Sequence, residues 1–222
     1  MKMTRRDRMA QERLARMALI LDSAEKLFVE RGYTGTSIND IAEEADFSRT
    51  SIYQYFSSKE EIYVHILERY TDSLTERLKE ATAAVPSVSE KIRAFLGEIR
   101  KMKREKPNFF ELYFIQRHQV EPRLPVELRA HLNAKRRRLE DVFREFYRKG
   151  IEKGEVRAIR FKDASNLFFA QIMGMMLLHE YYEDEFDVTL DDHLDMSLEL
   201  YLDFVEKVDG GSGRLPTIRE HT

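Results

Sequence analysis

Residues 36–59 read TSINDIAEEADFSRTSIYQYFSSK, and this stretch decides the fold. Thr36 or Ser37 offers a side-chain oxygen to the unpaired amides of a helix start. Ile38, Ile41, Ala42 and Ala45 then share one face at helical spacing. Asp46-Phe47 breaks that pattern, and Ser48 is placed to cap a second helix carrying Ile52, Tyr53 and Phe56. Ser57-Ser58 ends it. Ser58 and Glu61 stand at capping-box spacing, so a further helix begins there. Two short helices about a turn of roughly three residues form a helix-turn-helix candidate.

Working outward, residues 1–12 are polar and basic without an apolar face, as expected of a mobile arm. From about Arg13, the positions Met17, Ile20, Leu21, Ala24, Leu27 and Phe28 recur at three- and four-residue steps, and Gly32 stands where a C-terminal glycine cap belongs. A fourth helix is expected from Lys59 to about Ala83. Val85-Pro86-Ser87 marks a domain boundary, and Ser87 and Glu90 again have capping-box spacing. After Pro107, the segment Phe109–Ile115 is apolar on almost every side, so burial is expected. Further helices are expected from Pro125 to about Gly154, from Asp163 to about Glu183 and from Thr189 to about Val208. Gly210-Gly211-Ser212-Gly213 then opens a flexible tail. No strand pattern occurs. The expectation is an all-α chain of about nine helices: an arm (1–12), a helix-turn-helix domain (13–58), a connecting helix (59–84), a larger helical domain (85–208) and a tail (209–222).

The chain has 222 residues, 35% of them charged and 42% hydrophobic, which suits a soluble helical protein. It has no cysteine, which excludes disulfides, thiolate metal sites and cysteine nucleophiles. No segment reads as a signal peptide or a bilayer span, so a cytoplasmic protein without a membrane partner is expected. Residues 1–16 hold six cations and two anions, whereas residues 17–60 hold four cations and eight anions. A nucleic-acid footprint must therefore come from where individual cations sit, since the overall balance supplies none.

The N-terminal third resembles the TetR (tetracycline repressor) family of bacterial transcription regulators. The resemblance is carried by Ile20, Ala24, Leu27, Phe28, Glu30, Gly32, Tyr33, Thr36, Ser37, Ile38, Ile41 and Ala42, and continues through Ala45, Ser48, Ile52, Tyr53, Tyr55, Phe56, Lys59 and Glu60. Each piece alone is weak; together they span about 40 residues in the right order. Two positions depart from the family: Asp46 and Thr50 stand where it usually or often has glycine. Asp tolerates left-handed backbone better than most residues, so the turn can survive. Thr50 adds bulk at the DNA-facing start of the second helix, so base preference cannot be carried over.

The resemblance implies a homodimeric regulator of double-stranded operator DNA, released by a small molecule and joined through its last two helices. Arg49 can make a bidentate contact to guanine, and Thr50 and Ser51 can bond bases or phosphates. Tyr53 and Tyr55 resemble the family's phosphate-contacting aromatics, Lys59 its phosphate-binding lysine, and Gln54 can reach either target. Thr36, Ser37 and Ser48 would cap and touch phosphate, and Arg5, Arg6 and Arg8 would enter an adjacent minor groove. The plain alternatives are that the residues from Thr36 to Lys59 are caps and surface residues of a helical bundle and that the arm is a disordered solubilising tail. For the effector, Phe95, Met102, Phe109, Phe110, Tyr113, Phe114, Phe168 and Met173 are candidates for an adaptable apolar pocket, against the alternative of ordinary core.

No cofactor or metal site is expected. His179-Glu180-Tyr181-Tyr182-Glu183 lacks the second histidine of a zinc-protease helix. The acidic stretch Glu180–Asp195, with His179 and His193 at hand, reads as a solvated loop rather than a cation site. The basic run Arg136–Arg138 reads as a charged helix face. A helical enzyme is disfavoured, because a thiol and a phosphate-cradling glycine loop are missing and the histidines are scattered without a matched partner. A constitutive DNA binder would not need so large an apolar region.

Overall fold

A computed structural model describes residues 4–182 and 186–206. The expected tail over 209–222 and the expected last-helix end at Val208 lie outside these residues, as does Glu183. In order, the helices are α1 (Arg5–Gly35), α2 (Ile38–Glu44), α3 (Arg49–Ile52), α4 (Lys59–Ala83), α5 (Val88–Glu105), α6 (Pro107–Phe110), α7 (Arg117–Val120), α8 (Val126–Lys153), α9 (Phe161–Tyr182) and α10 (Leu190–Val205). A π-helical stretch, Glu111–Gln116, joins α6 to α7. Residues 107–120 therefore run on as one rod, which leaves nine rods among the described residues. The only extended pairing among those residues is one antiparallel bridge between Val156 and Glu206.

The chain packs into two compact units, Met1–Ala84 with Ala94–Val142, and Val85–Arg93 with Phe143–Thr222. In the first, Ile20, Leu21, Ala24, Leu27 and Phe28 of α1 are buried, as are Ile41, Ala42, Ile52, Phe56, Ile62 and Ile66. Each large apolar side chain so buried contributes roughly 1.5–3 kcal/mol. Phe28, Tyr33 and Tyr63 close a triangle of rings with centroids 5.3–5.9 Å apart. The Tyr63 hydroxyl donates to the Leu112 carbonyl at 2.5 Å, anchoring the π segment to α4.

Two sequence expectations change here. The arm is helical from Arg5. Thr4 caps it by accepting from the Asp7 amide at 3.2 Å, while the Asp7 carboxylate accepts from the Thr4 amide at 2.9 Å. Glu12 and Arg16 add a pair at 2.5 Å one turn apart. Every side chain from Arg5 to Arg16 is exposed, so caps and ion pairs hold this extension, and periodicity could not reveal it. The second change concerns Phe109–Ile115. Phe109, Phe110 and Leu112 are buried, but Tyr113, Phe114 and Ile115 are only partly so. The widened π turn instead carries Gln116 onto the buried face, and such turns recur at functional sites.

In the second unit, Phe143, Tyr147, Phe168, Ile172, Met176, Leu194, Leu198 and Tyr201 form the core. The turn at Gly154 (φ 73) leads to Arg157, whose amide donates to the Val205 carbonyl at 2.7 Å and so ties the turn to the end of α10. The Tyr201 hydroxyl donates to the Ala164 carbonyl at 3.0 Å, holding α10 to α9. His179 Nε2 and His193 Nδ1 lie 2.7 Å apart, with Phe186 stacked on His179 at 4.5 Å. These histidines are thus matched to each other, and the buried His179 belongs to the α9–α10 contact rather than to a solvated loop. Among the described residues, no group of three or more His, Asp or Glu side chains could hold a metal ion, and no helix is long and apolar enough to cross a membrane.

Candidate nucleic-acid interface

The α2–α3 corner is assembled almost entirely from contacts three or four residues apart. Ser37 caps α2: its hydroxyl oxygen accepts from the Asp40 amide at 3.2 Å, and Asp40 accepts from the Ser37 amide at 2.7 Å. The Ser37 hydroxyl, donating to the same carboxylate at 2.5 Å, and then the Ser37 amide hold the Asp40 carboxyl below its ordinary pKa. The turn follows with Asp46 at φ 58, the one left-handed non-glycine residue among those described. Its neighbour Phe47 donates to the Ala42 carbonyl at 2.9 Å, closing the end of α2. Ser48 then caps α3, accepting from the Ser51 amide at 3.1 Å, and the two serine hydroxyls lie 2.8 Å apart.

Helix α3 spans only Arg49–Ile52, short of the expected Phe56, and residues 53–56 finish it as tight turns on the Ser51 and Ile52 carbonyls. Ile52 and Phe56 anchor it in the core, while Arg49, Thr50, Tyr53 and Gln54 are exposed and Ser51 and Tyr55 are half-buried. The Arg49 guanidinium lies 5.7 Å from the Tyr53 ring centre. Tyr55 is held between Phe47 (6.4 Å) and the guanidinium of Arg13 (4.9 Å). Arg13 also donates to the Gln54 carbonyl at 3.3 Å, so α1 supports the far end of α3. Sequence reasoning missed that role, although Arg13 stood in the basic run.

Two expected phosphate ligands face inward. Thr36 is buried, and its hydroxyl donates to the carbonyls of Leu27 (3.2 Å) and Gly32 (3.0 Å). It secures the end of α1, and Ser37 alone does the capping. Lys59 donates from Nζ to the carbonyls of Tyr33 and Thr36, both at 2.7 Å, with the ammonium 4.2 Å from the Tyr33 ring centre. Unpaired carbonyls at a helix end attract a cation, and here they claim two of its three N–H groups. Burial also lowers the Lys59 pKa from the ordinary lysine value. Arg5, Arg6 and Arg8 are exposed on the first turns of α1, so they are displayed by a helix rather than by an extended strand.

The family model described as bacterial regulatory proteins, tetR family, matches residues 20–66. The chain is 30% identical over 199 residues to the HTH-type transcriptional regulator YfiR of Bacillus subtilis, an alignment covering 87% of this chain and 93% of that protein. The chain belongs to the TetR family. It is a DNA-binding transcriptional regulator. Its fold is similar to that of FadR from Bacillus subtilis, solved with stearoyl-CoA, at a TM-score of 0.73 and 20% identity over 85% of this chain and 99% of that one. It is also similar to AibR, solved with isovaleryl coenzyme A and operator DNA, at a TM-score of 0.66 and 21% identity over 83% and 97% of the two chains.

In this TetR-family chain the eight expected effector-pocket residues divide between the units. Phe95, Met102, Phe109, Phe110, Tyr113 and Phe114 fall in the first, where Phe109 meets Tyr70 (5.0 Å) and Tyr113 (5.1 Å), and Phe110 meets Phe114 (5.0 Å). Phe168 and Met173 fall in the second, with Phe168 buried against Phe143 and Tyr201, both at 5.2 Å. The aromatic segment leads straight to Gln116, which no sequence pattern marked. Its amide nitrogen donates to the Phe28 carbonyl at 2.9 Å, and its oxygen accepts from the Tyr33 amide at 3.2 Å. It thereby bridges the break at Gly32 (φ 73, ψ 160), backbone that only glycine adopts readily.

Proposed function

We propose that this protein is a repressor that binds a (pseudo)palindromic operator as a homodimer and is released by a small apolar or amphipathic effector. The observation that carries the DNA reading is the α2–α3 corner, a capped helix anchored by Ile52 and Phe56 that leaves Arg49, Thr50, Tyr53 and Gln54 exposed to solvent. In this reading Arg49 and Thr50 meet base edges, with Ser48 and Ser51 at the helix start. Ser37, Tyr53, Gln54 and Tyr55 hold phosphates, joined by the remaining N–H of Lys59. The helical extension with Arg5, Arg6 and Arg8 lies along flanking phosphates, since a helix is too wide for the minor groove. Residues 13–58 read DNA, 59–84 connect, and 85–208 bind effector and dimerise.

Leu178, Tyr181 and Tyr182 of α9, with Met196 and Leu200 of α10, are 43–63% exposed. Large apolar side chains left in solvent along two neighbouring helices support a two-fold, four-helix interface there. The ligands of FadR and AibR make an acyl-CoA the first effector class to test. The experiment is a gel shift on DNA flanking the protein's own gene, with and without palmitoyl-CoA. A retarded band released by the acyl-CoA is expected. A band that persists with every apolar ligand tried makes the protein a constitutive binder, and no band at all rejects the reading.

A further inference from the structure

A cleft of about 460 Å³ opens within the first unit, walled by α1, α4 and the α5–α6 junction. Four cations line it, Lys26, Arg69, Arg77 and Lys106, against two carboxylates, Asp22 and Glu25. The carboxylates differ in kind. Glu25 is buried and fully engaged: it accepts from the Tyr70 hydroxyl, from Asn108 at 3.0 Å and from Arg69 Nη2 at 2.6 Å. Its charge is compensated where it sits. Asp22 is exposed and makes one contact, accepting from Arg69 Nη1 at 2.6 Å.

Donors remain after these pairings. Arg77 commits Nε to Glu98 (2.8 Å) and Nη1 to Glu105 (2.7 Å), which leaves Nη2. Arg69 keeps Nε–H. Among the described residues, Lys106 Nζ and the Ser73 hydroxyl have neither an ion pair nor a side-chain hydrogen bond. Guanidinium forks, an ammonium and a hydroxyl converging on a space of this size form a donor set for several phosphate oxygens at once.

We propose that this cleft binds a multiply phosphorylated anion, and that the bound phosphate draws Arg69 away from Asp22. The shared chemistry is a diphosphate group, whether at the polar end of a coenzyme A conjugate or on a free nucleotide. Asp22 lies on α1 and Arg69 on α4, and Lys26, one turn beyond Asp22, holds Glu44 of α2 at 2.7 Å. Exchange of the Arg69 partner therefore loosens α1 from α4 beside the DNA-reading corner. The binding step stands by itself, whereas its consequence for DNA rests on the ligand-responsive reading above.

The test is calorimetric titration of the full-length protein with inorganic pyrophosphate, ADP and coenzyme A at low salt. Saturable binding is expected, weakened about tenfold by Lys106→Glu and by Ser73→Asp, which place negative charge in the cleft at side chains without structural bonds. Arg69→Gln should behave alike, but it strips a partner from buried Glu25, so the other two variants decide the matter should it misfold. ADP binding as tightly as coenzyme A assigns the cleft to nucleotides; coenzyme A alone binding, with the same loss in Lys106→Glu, assigns it to the effector's polar end. No binding by any probe, or binding indifferent to both charge variants, overturns the proposal. Palmitoyl-CoA that fails to release operator while pyrophosphate still binds would sink the effector reading and leave the cleft standing.

Discussion

The corner at residues 36–59 and the rod at 107–120 both put a sharp local feature into the chain, but opposite kinds of contact hold them. In the corner, Ser37 bonds Asp40, Ser48 bonds Ser51 and Ser58 bonds Glu61, each three residues away. In the rod, Gln116 reaches back 88 residues to Phe28 and 83 to Tyr33, and Leu112 accepts from Tyr63. The first design displays side chains on a frame whose caps are all local. The second ties the aromatic segment to the end of α1 through buried polar bonds, where an unmade bond is costly and a shift in the rod is felt at the other end.

The largest expected effect breaks the long-range design. Gln116→Leu leaves the Phe28 carbonyl and the Tyr33 amide buried without partners, a loss of about 2–3 kcal/mol. The thermal midpoint should fall by roughly 5–10 °C for a chain of this size. A variant that melts within a degree of the parent would show that this amide holds nothing.

Arg49→Ala strikes the local design, and the outcome should be the reverse. Operator affinity drops by about 1–3 kcal/mol, tenfold or more in a gel shift, while the melting temperature stays put because the side chain is exposed. Loss of stability together with affinity would mean that the Arg49 contact with Tyr53 is structural.

A smaller effect is expected at the turn itself. Asp46→Gly relieves left-handed backbone at φ 58, and should be neutral or stabilising by up to about 1 kcal/mol. Asp46→Val should be destabilising, which denaturant titration of the pair can resolve.

The smallest concerns pH. His65 donates from Nδ1 to Glu68 at 3.1 Å, with Glu61 3.8 Å from Nε2, while His131 of α8 meets the other Glu68 oxygen and Lys135 stands nearby. The bond to Glu68 raises the His65 pKa above its ordinary value despite burial and Lys135. The stabilisation is complete below the unfolded value near ~6.5 and fades as pH rises through the folded one. The thermal midpoint should therefore decline on passing from about pH 6 to 8, and Glu68→Gln should flatten that slope. An unchanged slope in the variant removes this contact from the account.

The contrast also explains what could be read in advance. The caps at Ser58 and Ser87, the turn at Asp46 and the buried stripe through Ile52 and Phe56 depend on neighbours within a turn or two, so spacing revealed them, while at the start of α2 it left Thr36 and Ser37 both open. The helical extension escaped notice because it buries nothing. Thr36 and Lys59 had suitable chemistry for phosphate, yet carbonyls at the end of α1 took the Thr36 hydroxyl and two of the three Lys59 N–H groups.

By itself, the order of residues determined an all-α chain with a helix-turn-helix corner, because helical periodicity, caps and turn chemistry are short-range. Only the tertiary structure decided that Gln116 bridges the Gly32 break, that Arg13 supports the end of α3, and that Asp22, Arg69, Arg77 and Lys106 converge on one cleft. Those partners lie dozens of residues apart, and packing alone selects which of many possible polar pairs meet.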